Sequence, residues 1–312
     1  MRRVAPSSER RFMNSIRIRA HAKVNLGLAV LGVREDGYHE IDTVFQTISI
    51  ADTLVISRRE RGVSLVASGI AVPGGTENLA WRAADAFRER VLDCGVAIDL
   101  TKRIPVAAGL GGGSADAAAV LVGLDALHGT GLSAEVLESL GLSIGSDVPF
   151  LLRGGTARAG GRGERLERLR PLAGAWFVLA TPGFGVTAAE VYRRARIRLT
   201  PEREFIRLIC SGIQEGDAAA VAAAMRNDLE TGVTTIYPEI RRIKQALSEA
   251  GCAGVVMSGS GSTVVGLVRT REEADSVRSR LAGRGWSLLT AAATDAGCEE
   301  VGSTDVGGGA VS

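Results

Sequence analysis

The glycine-rich segment from Pro105 to Ala115, with the sequence PVAAGLGGGSA, is the feature that most restricts how this chain can fold. It lies between a predicted strand that ends near Lys102 and a predicted helix that starts near Ser114. Successive glycines let backbone N–H groups approach a ligand closely, and a helix N-terminus adds unpaired donors and a dipole that favours anions. The segment therefore predicts an anion site the size of a triphosphate. For the glycine run alone, the alternative is a flexible turn that leads into a helix.

Three common nucleotide-binding motifs do not fit this segment. A P-loop requires GK[ST], but the residues before the three lysines are Ala22, Thr101 and Ile243. No complete GxGxxG follows a predicted strand, which argues against a dinucleotide site of the Rossmann type. The HRD and DFG motifs of protein kinases are absent from the sequence as well. The segment therefore indicates another class of nucleotide-binding protein.

The composition is that of a globular protein and excludes several functional classes. Of the 312 residues 46% are apolar and 23% charged, and a net charge of +2 gives no field that would attract nucleic acid. The four cysteines lie far apart without a CxxC pair, so neither a disulfide framework nor a zinc site is expected. We find no apolar run with the length of a signal peptide or a membrane span, and we expect a cytoplasmic protein without a membrane partner.

Hydrophobic patterns predict a mixture of strands and helices. Residues 15–31 indicate a strand, and an alanine-rich helix is expected over residues 114–128. Two short strands are expected after it, at residues 148–152 and 156–159. Because strands that look antiparallel alternate with helices in both halves, the pattern favours an α+β fold over a doubly wound parallel sheet.

The Arg/Gly-rich stretch at residues 160–171 is the best candidate for a domain boundary. We therefore expect one domain over residues 15–170 and a second over residues 171–295. Residues 1–14 are expected to form a flexible arm, and the composition of residues 296–312 predicts a disordered tail.

Three separated segments resemble the motifs of the GHMP superfamily of small-molecule kinases. They are AKVNLGL at residues 22–28, PVAAGLGGGSADAA at residues 105–118 and SGSGS at residues 258–262. Their order and spacing match the superfamily, and the resemblance extends over about residues 15–292. It implies a two-domain α+β GHMP kinase with a ribosomal-protein-S5-like N-terminal domain and a ferredoxin-like C-terminal domain. The active site is expected in the cleft between them.

Two further motifs, REDGYH at residues 34–39 and GSDVPF at residues 145–150, are more specific. With them, the chain is similar to the members that use ATP to phosphorylate a hydroxyl of a cytidine diphosphate-linked methylerythritol in non-mevalonate isoprenoid precursor biosynthesis. Two alternatives remain. One is another GHMP kinase, of the homoserine, mevalonate or galactose type, and the other is a non-catalytic nucleotide-binding regulator on the same fold.

The resemblance places the catalytic pair on Lys23 and Asp147. Asp147 would accept the proton of the attacking hydroxyl, while Lys23 would keep that carboxylate ionised and orient the hydroxyl. The structural alternatives are a turn or helix-capping aspartate before Pro149 and a solvated lysine on a strand. Only three of the 37 basic residues are lysines, which favours a specific need for an ammonium group at position 23.

The resemblance also implies how a cytosine base would be bound. Tyr38 would stack on the ring and His39 would hydrogen-bond its edge, with Tyr192 as a second stacking face. Turn residues, and a helical core tyrosine at position 192, are the alternatives. The full expected substrate-binding set is Asn25, Tyr38, His39, Tyr192, Gly259 and Ser260.

ATP is expected along the glycine-rich segment, with Mg²⁺ offsetting its charge. Asn78 would flank the adenine and Ser114 would contact phosphate or Mg²⁺, although helix capping explains each equally well. Asp116 is interpreted as structural, because a carboxylate that faced phosphate would repel it. The sequence identifies neither metal ligands nor an oligomeric state. The expected nucleotide-binding set is Asn78, Pro105, Val106, Ala107, Ala108, Gly109, Leu110, Gly111, Gly112, Gly113, Ser114 and Ala115.

Overall fold

The computed structural model describes residues 13–194, 199–200 and 203–305, which form two β-sheets with helices packed against them. The elements up to residue 168 are β1 (Met13–Val33), β2 (His39–Arg59), β3 (Val63–Gly69), α1 (Leu79–Arg90), β4 (Gly95–Lys102), α2 (Gly112–His128), α3 (Ala134–Ile144), α4 (Val148–Arg153), β5 (Thr156–Gly161) and β6 (Arg165–Arg168). The elements that follow are β7 (Trp176–Thr181), α5 (Ala188–Arg194), α6 (Glu204–Glu215), α7 (Ala218–Ala224), β8 (Arg226–Asn227), α8 (Glu230–Ile236), α9 (Pro238–Glu249), β9 (Gly254–Met257), β10 (Val264–Val268), α10 (Arg271–Leu281), β11 (Ser287–Ala292) and β12 (Cys298–Asp305). This mixture of sheets and helices confirms the predicted α+β class.

The larger sheet is built on the long antiparallel pair β1 and β2. Its strand order is β12-β1-β2-β4-β3, the β5–β6 hairpin pairs with β2, and β8 pairs with β1. Three register shifts interrupt the pairing of β1 with β2, after His21, Asn25 and Val30. Such bulges bend a strand and re-aim its side chains. The bent part of β1 reaches the second sheet, where the backbone N–H of Asn25 donates to Ser258 Oγ at 3.2 Å.

Helix α2 packs against this sheet and determines where the glycine-rich segment lies. Most of its side chains are small and buried all round, as expected for a helix enclosed by other elements. It comes so close to the sheet that a Cβ on Gly123 would lie 2.4 Å from Ile56 Cδ1. The N-terminus of α2 is therefore held tightly relative to β1 and β2.

The smaller sheet has the strand order β11-β7-β10-β9, and each neighbouring pair is antiparallel. Helices separate β7 from β9, β9 and β10 form a hairpin, and α10 connects β10 to β11. This connectivity is the ferredoxin-like arrangement expected for the C-terminal domain. No helix in the described part of the chain is long and apolar enough to cross a membrane.

Two predicted elements were wrong. Residues 148–152 form part of α4 and not a strand, and Pro149 lies in the first turn of that helix, where its missing N–H leaves no bond unmade. The predicted disordered tail contains β12, whose residues 298–305 pair with residues 13–20 of β1. A strand edge with unpaired backbone groups favours such pairing despite the tail's composition. Residues 306–312 lie outside the described residues.

The ends of the predicted domains also differ from the elements. Met13 and Asn14, expected in the flexible arm, already belong to β1, and residues 1–12 lie outside the described residues. The stretch 160–171, expected as a boundary, contains the turn and second strand of the β5–β6 hairpin, and β7 of the other sheet begins only at Trp176. The division into residues 15–170 and 171–295 stays a prediction.

Candidate active site

Two cavities meet at the glycine-rich segment. The first, which we call the aromatic cavity, has a volume of about 440 Å³, and the second, the loop cavity, has about 300 Å³. Gly109 and Gly111 line both. The aromatic cavity contains all the predicted catalytic and substrate-binding residues, namely Lys23, Asn25, Tyr38, His39, Asp147, Tyr192, Gly259 and Ser260.

The loop cavity is lined by Asn78 and by the segment from Pro105 to Ser114. Of the predicted nucleotide-binding residues only Ala115 lines neither cavity, since it is fully buried in the packing of α2. The two cavities are therefore adjacent and share part of the glycine-rich segment. Such an arrangement is required for the transfer of a group between two bound molecules.

Lys23 and Asp147 face each other in the aromatic cavity. The Nζ atom of Lys23 is 3.4 Å from Oδ2 of Asp147 and donates a hydrogen bond of 2.8 Å to Asn25 Oδ1. The backbone N–H of Lys23 donates to Leu110 O at 2.9 Å, which joins β1 to the glycine-rich segment. A buried, oriented ammonium group thus lies beside a carboxylate, and this is not the environment of a solvated strand lysine.

Asp147 occupies the N-cap position of α4, but its carboxylate makes no capping hydrogen bond in the described structure. Its backbone carbonyl instead accepts from Leu151 N at 3.1 Å, so the start of the helix holds the residue in place. The capping alternative therefore does not account for this side chain, which is left free to contact a ligand.

The SGSGS turn reaches the site from the smaller sheet. Ser258 Oγ donates to Gly109 O at 2.8 Å while it accepts from Asn25 N, and so it joins the first, second and third motifs. Asn227 Nδ2 donates to the carbonyls of Met257 and Gly259 at 2.8 and 2.7 Å. Sequence reasoning missed Asn227, because it lies on β8 far from the motif that it holds.

The backbone of the glycine-rich segment is shaped by close packing. Gly109 has φ +76°, and a Cβ there would lie 2.0 Å from Ser258 O, so only glycine fits. Ala107 also has a positive φ of 51°, and its carbonyl accepts from Val186 N at 2.7 Å. Helix α2 begins directly after the N-cap residue Gly111, so its unpaired N–H groups lie at the loop cavity.

The capping alternatives for Asn78 and Ser114 have different outcomes in the structure. Asn78 does cap α1, since its Oδ1 accepts from Ala80 N at 2.9 Å, and it lines the loop cavity as well. Ser114 is not an N-cap, because α2 begins two residues earlier at Gly112. Its side chain lies in the first turn and lines the loop cavity.

A buried ionic cluster lies beneath the segment. Lys102 Nζ is 2.5 Å from Asp52 Oδ2 and 2.6 Å from Asp116 Oδ2. Asp52 Oδ1 also accepts from the backbone N–H groups of Arg103 and Ile104 at 2.5 and 2.9 Å. Burial raises the pKa of Asp116 well above its ordinary value, although the Lys102 ammonium group opposes this shift. The cluster joins the ends of β4 and α2. Because Lys102 and Asp116 also line the loop cavity, the structural interpretation of Asp116 stays a prediction.

Aromatic side chains form the other end of the aromatic cavity. The rings of His39 and Tyr192 stack with centroids 4.3 Å apart and an interplanar angle of 24°. Burial raises the pKa of Tyr192 to about 12, with a contribution from the charge of Asp147, and burial lowers the pKa of His39. Tyr38 is 57% exposed, and the Arg162 guanidinium lies 4.7 Å from the centre of its ring. This end of the cavity offers ring faces and a neutral imidazole at pH 7.

Sequence reasoning missed about half of the lining of this cavity. Ser146 lies within the GSDVPF motif, which was a usable signal, whereas Arg162 lies in the stretch that was interpreted as a domain boundary. Leu28 and Gly37 also lie within motifs, AKVNLGL and REDGYH, whereas the remaining residues lie in none. The missed lining residues are Leu28, Gly37, Ile41, Phe45, Ser146, Arg162, Ala188, Ala189 and Leu229.

The described residues contain no group of three or more His, Cys, Asp or Glu side chains that would hold a metal ion by themselves. Mg²⁺ prefers oxygen ligands and is commonly held by substrate phosphates together with one or two protein oxygens. The Ser114 hydroxyl at the loop cavity is such an oxygen, so the site fits a Mg²⁺ ion that arrives with a nucleotide.

Comparison with known proteins agrees with this geometry. Residues 78–155 match the GHMP kinases N terminal domain, and residues 209–286 match the GHMP kinases C terminal domain. A protein of Pelotomaculum thermopropionicum is 49% identical over 263 residues, which cover 84% of this chain and 92% of that protein. A protein of Moorella thermoacetica is 46% identical over 272 residues, which cover 86% and 95%. Both are named 4-diphosphocytidyl-2-C-methyl-D-erythritol kinase. This chain belongs to the 4-diphosphocytidyl-2-C-methyl-D-erythritol kinase family.

Solved structures give the same result at the level of the fold. A crystal structure of a 4-(cytidine 5'-diphospho)-2C-methyl-D-erythritol kinase is 37% identical, with a TM-score of 0.74 over 89% of this chain and 99% of that one. A homoserine kinase from Cytophaga hutchinsonii has a TM-score of 0.76 over 96% and 100% of the two chains, but at 18% identity it shows only the shared fold. The predicted two-domain GHMP kinase fold and ATP-dependent kinase activity are confirmed.

Proposed function

We propose that this kinase phosphorylates a hydroxyl of 4-diphosphocytidyl-2-C-methyl-D-erythritol, with Asp147 as the general base and Lys23 assisting it. The observation that supports this most is the content of one cavity. The Lys23–Asp147 pair lies in the same 440 Å³ cavity as Tyr38, His39 and Tyr192, and that cavity meets the loop cavity at the glycine-rich segment. We place the reaction in the cytoplasm, as a step of non-mevalonate isoprenoid precursor synthesis.

The chemistry follows from the positions of the charged groups. Asp147 accepts the proton of the substrate hydroxyl while the oxygen of that hydroxyl forms a bond to the γ-phosphorus of ATP. As this bond forms, the bond from the phosphorus to the bridging oxygen of ADP breaks. Because phosphoryl transfer has a loose transition state, positioning and charge neutralisation supply most of the rate. Lys23 contributes both, since it is oriented by Asn25 and holds the carboxylate beside it.

The loop cavity is proposed to bind ATP. Backbone N–H groups of the glycine-rich segment and of the first turn of α2 would surround the phosphates, and Asn78, which also lines this cavity, would flank the adenine. Mg²⁺, held by the phosphates and the Ser114 hydroxyl, would neutralise phosphate charge.

The aromatic end of the other cavity distinguishes this function from those of related kinases. A neutral imidazole offers one donor and one acceptor, which suits the edge of a cytosine, and the tyrosine faces suit its ring. Homoserine, mevalonate and galactose have no base to stack there.

A panel of acceptors tests the proposal. Purified protein with ATP and Mg²⁺ is incubated with the cytidine diphosphate-linked substrate, homoserine, mevalonate or galactose, and ADP release is measured. We expect release with the cytidine-containing acceptor alone. Release with a smaller alcohol and none with the cytidine compound would show another GHMP kinase. ATP binding without release from any acceptor would indicate a regulator instead of an enzyme.

A further inference from the structure

Arg162 lies on the turn between β5 and β6 and lines the aromatic cavity. Two hydrogen bonds hold this turn. The Arg162 backbone N–H donates to the Glu164 carboxylate at 2.5 Å, and Gly163 N donates to Gly160 O at 3.1 Å. The Arg162 side chain is half-buried against Tyr38, with its guanidinium carbon 4.7 Å from the ring centre. The turn bonds hold the backbone of Arg162, and the ring contact with Tyr38 holds its side chain at the cavity.

The guanidinium of Arg162 differs from those of its neighbours because no described carboxylate lies within ion-pair distance of it, although the Asp36 carboxylate is near enough to interact with its charge. Within the described part of the chain its guanidinium makes the ring contact but no ion pair or hydrogen bond. The neighbouring Arg34, Arg158 and Arg165 are each paired with a carboxylate. A guanidinium has five N–H donors in a planar fork that matches phosphate oxygens. An unpaired fork at a ligand cavity indicates an anionic ligand group.

Arg162 also lies between the two ends of the proposed substrate. Its side chain contacts Tyr38 at the aromatic end. At the next residue, a Cβ on Gly163 would lie 3.9 Å from Asp147 Oδ1, so the same turn adjoins the reacting end. A substrate with its base at Tyr38 and its hydroxyl at Asp147 has its diphosphate in the middle. Lys23, the other cation that lines the cavity, already forms an ion pair with Asp147.

We propose that Arg162 binds the diphosphate of the substrate and makes the site selective for cytidine diphosphate derivatives over cytidine itself. This inference rests on the function proposed above. It assigns the recognition of the negatively charged diphosphate to a residue that lies outside the three kinase motifs. Arg162 acts on binding and takes no part in proton transfer.

Isothermal titration of the full-length protein with CDP and with cytidine tests this role. Since a hydrogen bond to a charged group contributes about 1.5–3 kcal/mol, Arg162→Met should raise the Kd of CDP by roughly 10- to 100-fold. The Kd of cytidine should stay at the wild-type value. Arg165→Met is the matched control on the same hairpin, because Arg165 pairs with Glu40 and does not line the cavity. It should leave both Kd values unchanged.

Steady-state kinetics with the complete substrate give a second readout. Arg162→Met should raise KM and leave kcat near the wild-type value, and Arg162→Lys, which keeps the charge without the fork, should recover part of the loss. Arg162→Gln is used in the same way if the Met variant has a lowered Tm.

The outcomes are distinguishable. An unchanged CDP affinity, or an equal loss for CDP and cytidine, would overturn the proposal, the latter because the arginine would then act only through the Tyr38 ring. A fall in kcat without a rise in KM would overturn it as well. If the wild-type protein binds neither CDP nor cytidine, the proposed substrate class itself is wrong, whatever the variants do.

Discussion

The Nζ atom of Lys23 lies 3.4 Å from Oδ2 of Asp147, although the two residues come from a central strand and from the start of a distant helix. Their exposure is unequal, with 5% of the lysine side chain and 28% of the aspartate side chain accessible. Lys23 is also fixed by its hydrogen bond to Asn25. The ammonium group is thus preorganised behind the carboxylate, which leaves the carboxylate as the partner that a substrate can reach.

Replacement of Asp147 by Asn removes the proposed proton acceptor and keeps the size of the side chain. We expect ADP release to fall by about 10²- to 10⁴-fold, the usual contribution of a general base. The Kd of ATP should not change, because Asp147 does not line the loop cavity. Asp93→Asn is the control, because Asp93 forms an exposed ion pair and lines neither cavity, and this variant should keep full activity. Wild-type turnover in Asp147→Asn would show that another group takes the proton.

Gly109→Ala tests whether the loop depends on close approach to the smaller sheet. The new Cβ would lie 2.0 Å from Ser258 O in a backbone with φ +76°, so the loop and the SGSGS turn must separate. We expect ATP affinity and turnover to be lost together. Gly129→Ala is the control, because its φ of +61° is similar but the space around it is open. It should cost only the backbone strain of about 1–2 kcal/mol and leave the Kd of ATP unchanged. Equal ATP affinities in the two variants would contradict this account.

Lys102→Met tests the buried ionic cluster. The change leaves the carboxylates of Asp52 and Asp116 buried without their cation. Loss of one partner from such a group typically lowers the free energy of unfolding by about 3–5 kcal/mol, which urea titration would measure. Arg269→Met is the control, because the Arg269–Glu273 pair is exposed and should contribute only about 0–1 kcal/mol. If the free energy of unfolding falls equally in both variants, the buried cluster stabilises the fold no more than the control ion pair does.

Stability should fall in mild acid because of the histidines. Burial lowers the pKa of His21, His39 and His128, which are the three histidines of the chain. Below about pH 6.5 the unfolded chain therefore binds more protons than the folded one. As the pH is lowered, the free energy of unfolding decreases by up to about 1.4 kcal/mol per pH unit for each such proton. The fall ends once the pH passes below the lowered pKa of the folded state.

His21→Asn is expected to reduce this slope. The asparagine keeps a nitrogen that can donate to the Ile48 carbonyl, to which His21 Nδ1 donates at 3.1 Å, but it does not titrate. Urea titrations at several pH values between about 5 and 7.5 would measure the slope, since this range spans the ordinary histidine pKa. A slope as steep as that of the wild type would exclude His21 as a contributor.

Much of the site was predictable because its signals are local. The glycines of Pro105–Ala115 are needed where neighbouring atoms come close to the backbone, and these glycines are grouped in one short segment of the chain. Tyr38, His39 and Asp147 lie within short motifs whose resemblance to known kinases assigned them roles. The structure then brought Lys23, Asp147 and these aromatic residues into one cavity, although nothing in their local sequence specifies that meeting.

The failures came where local patterns are ambiguous. Residues 148–152 are a short apolar run, which periodicity cannot assign to helix or strand, and a helix start before Pro149 was considered only as an alternative role for Asp147. The composition of the tail indicated disorder, but β12 pairs with an available edge of β1. Neither Asn227 nor Arg162 lies in a motif, yet one holds the SGSGS turn and the other lines the aromatic cavity.

The sequence alone therefore determined the kinase family, the glycine-rich segment and the residues of its motifs, because each depends on a few neighbouring side chains and backbone conformations. The tertiary structure alone decided which distant side chains complete the site, namely the ammonium group set behind Asp147, the unpaired guanidinium between the two ends of the cavity and the buried Asp52–Lys102–Asp116 cluster. These contacts join residues far apart in the chain, and they arise from the bending of β1, the close packing of α2 and the docking of the second sheet.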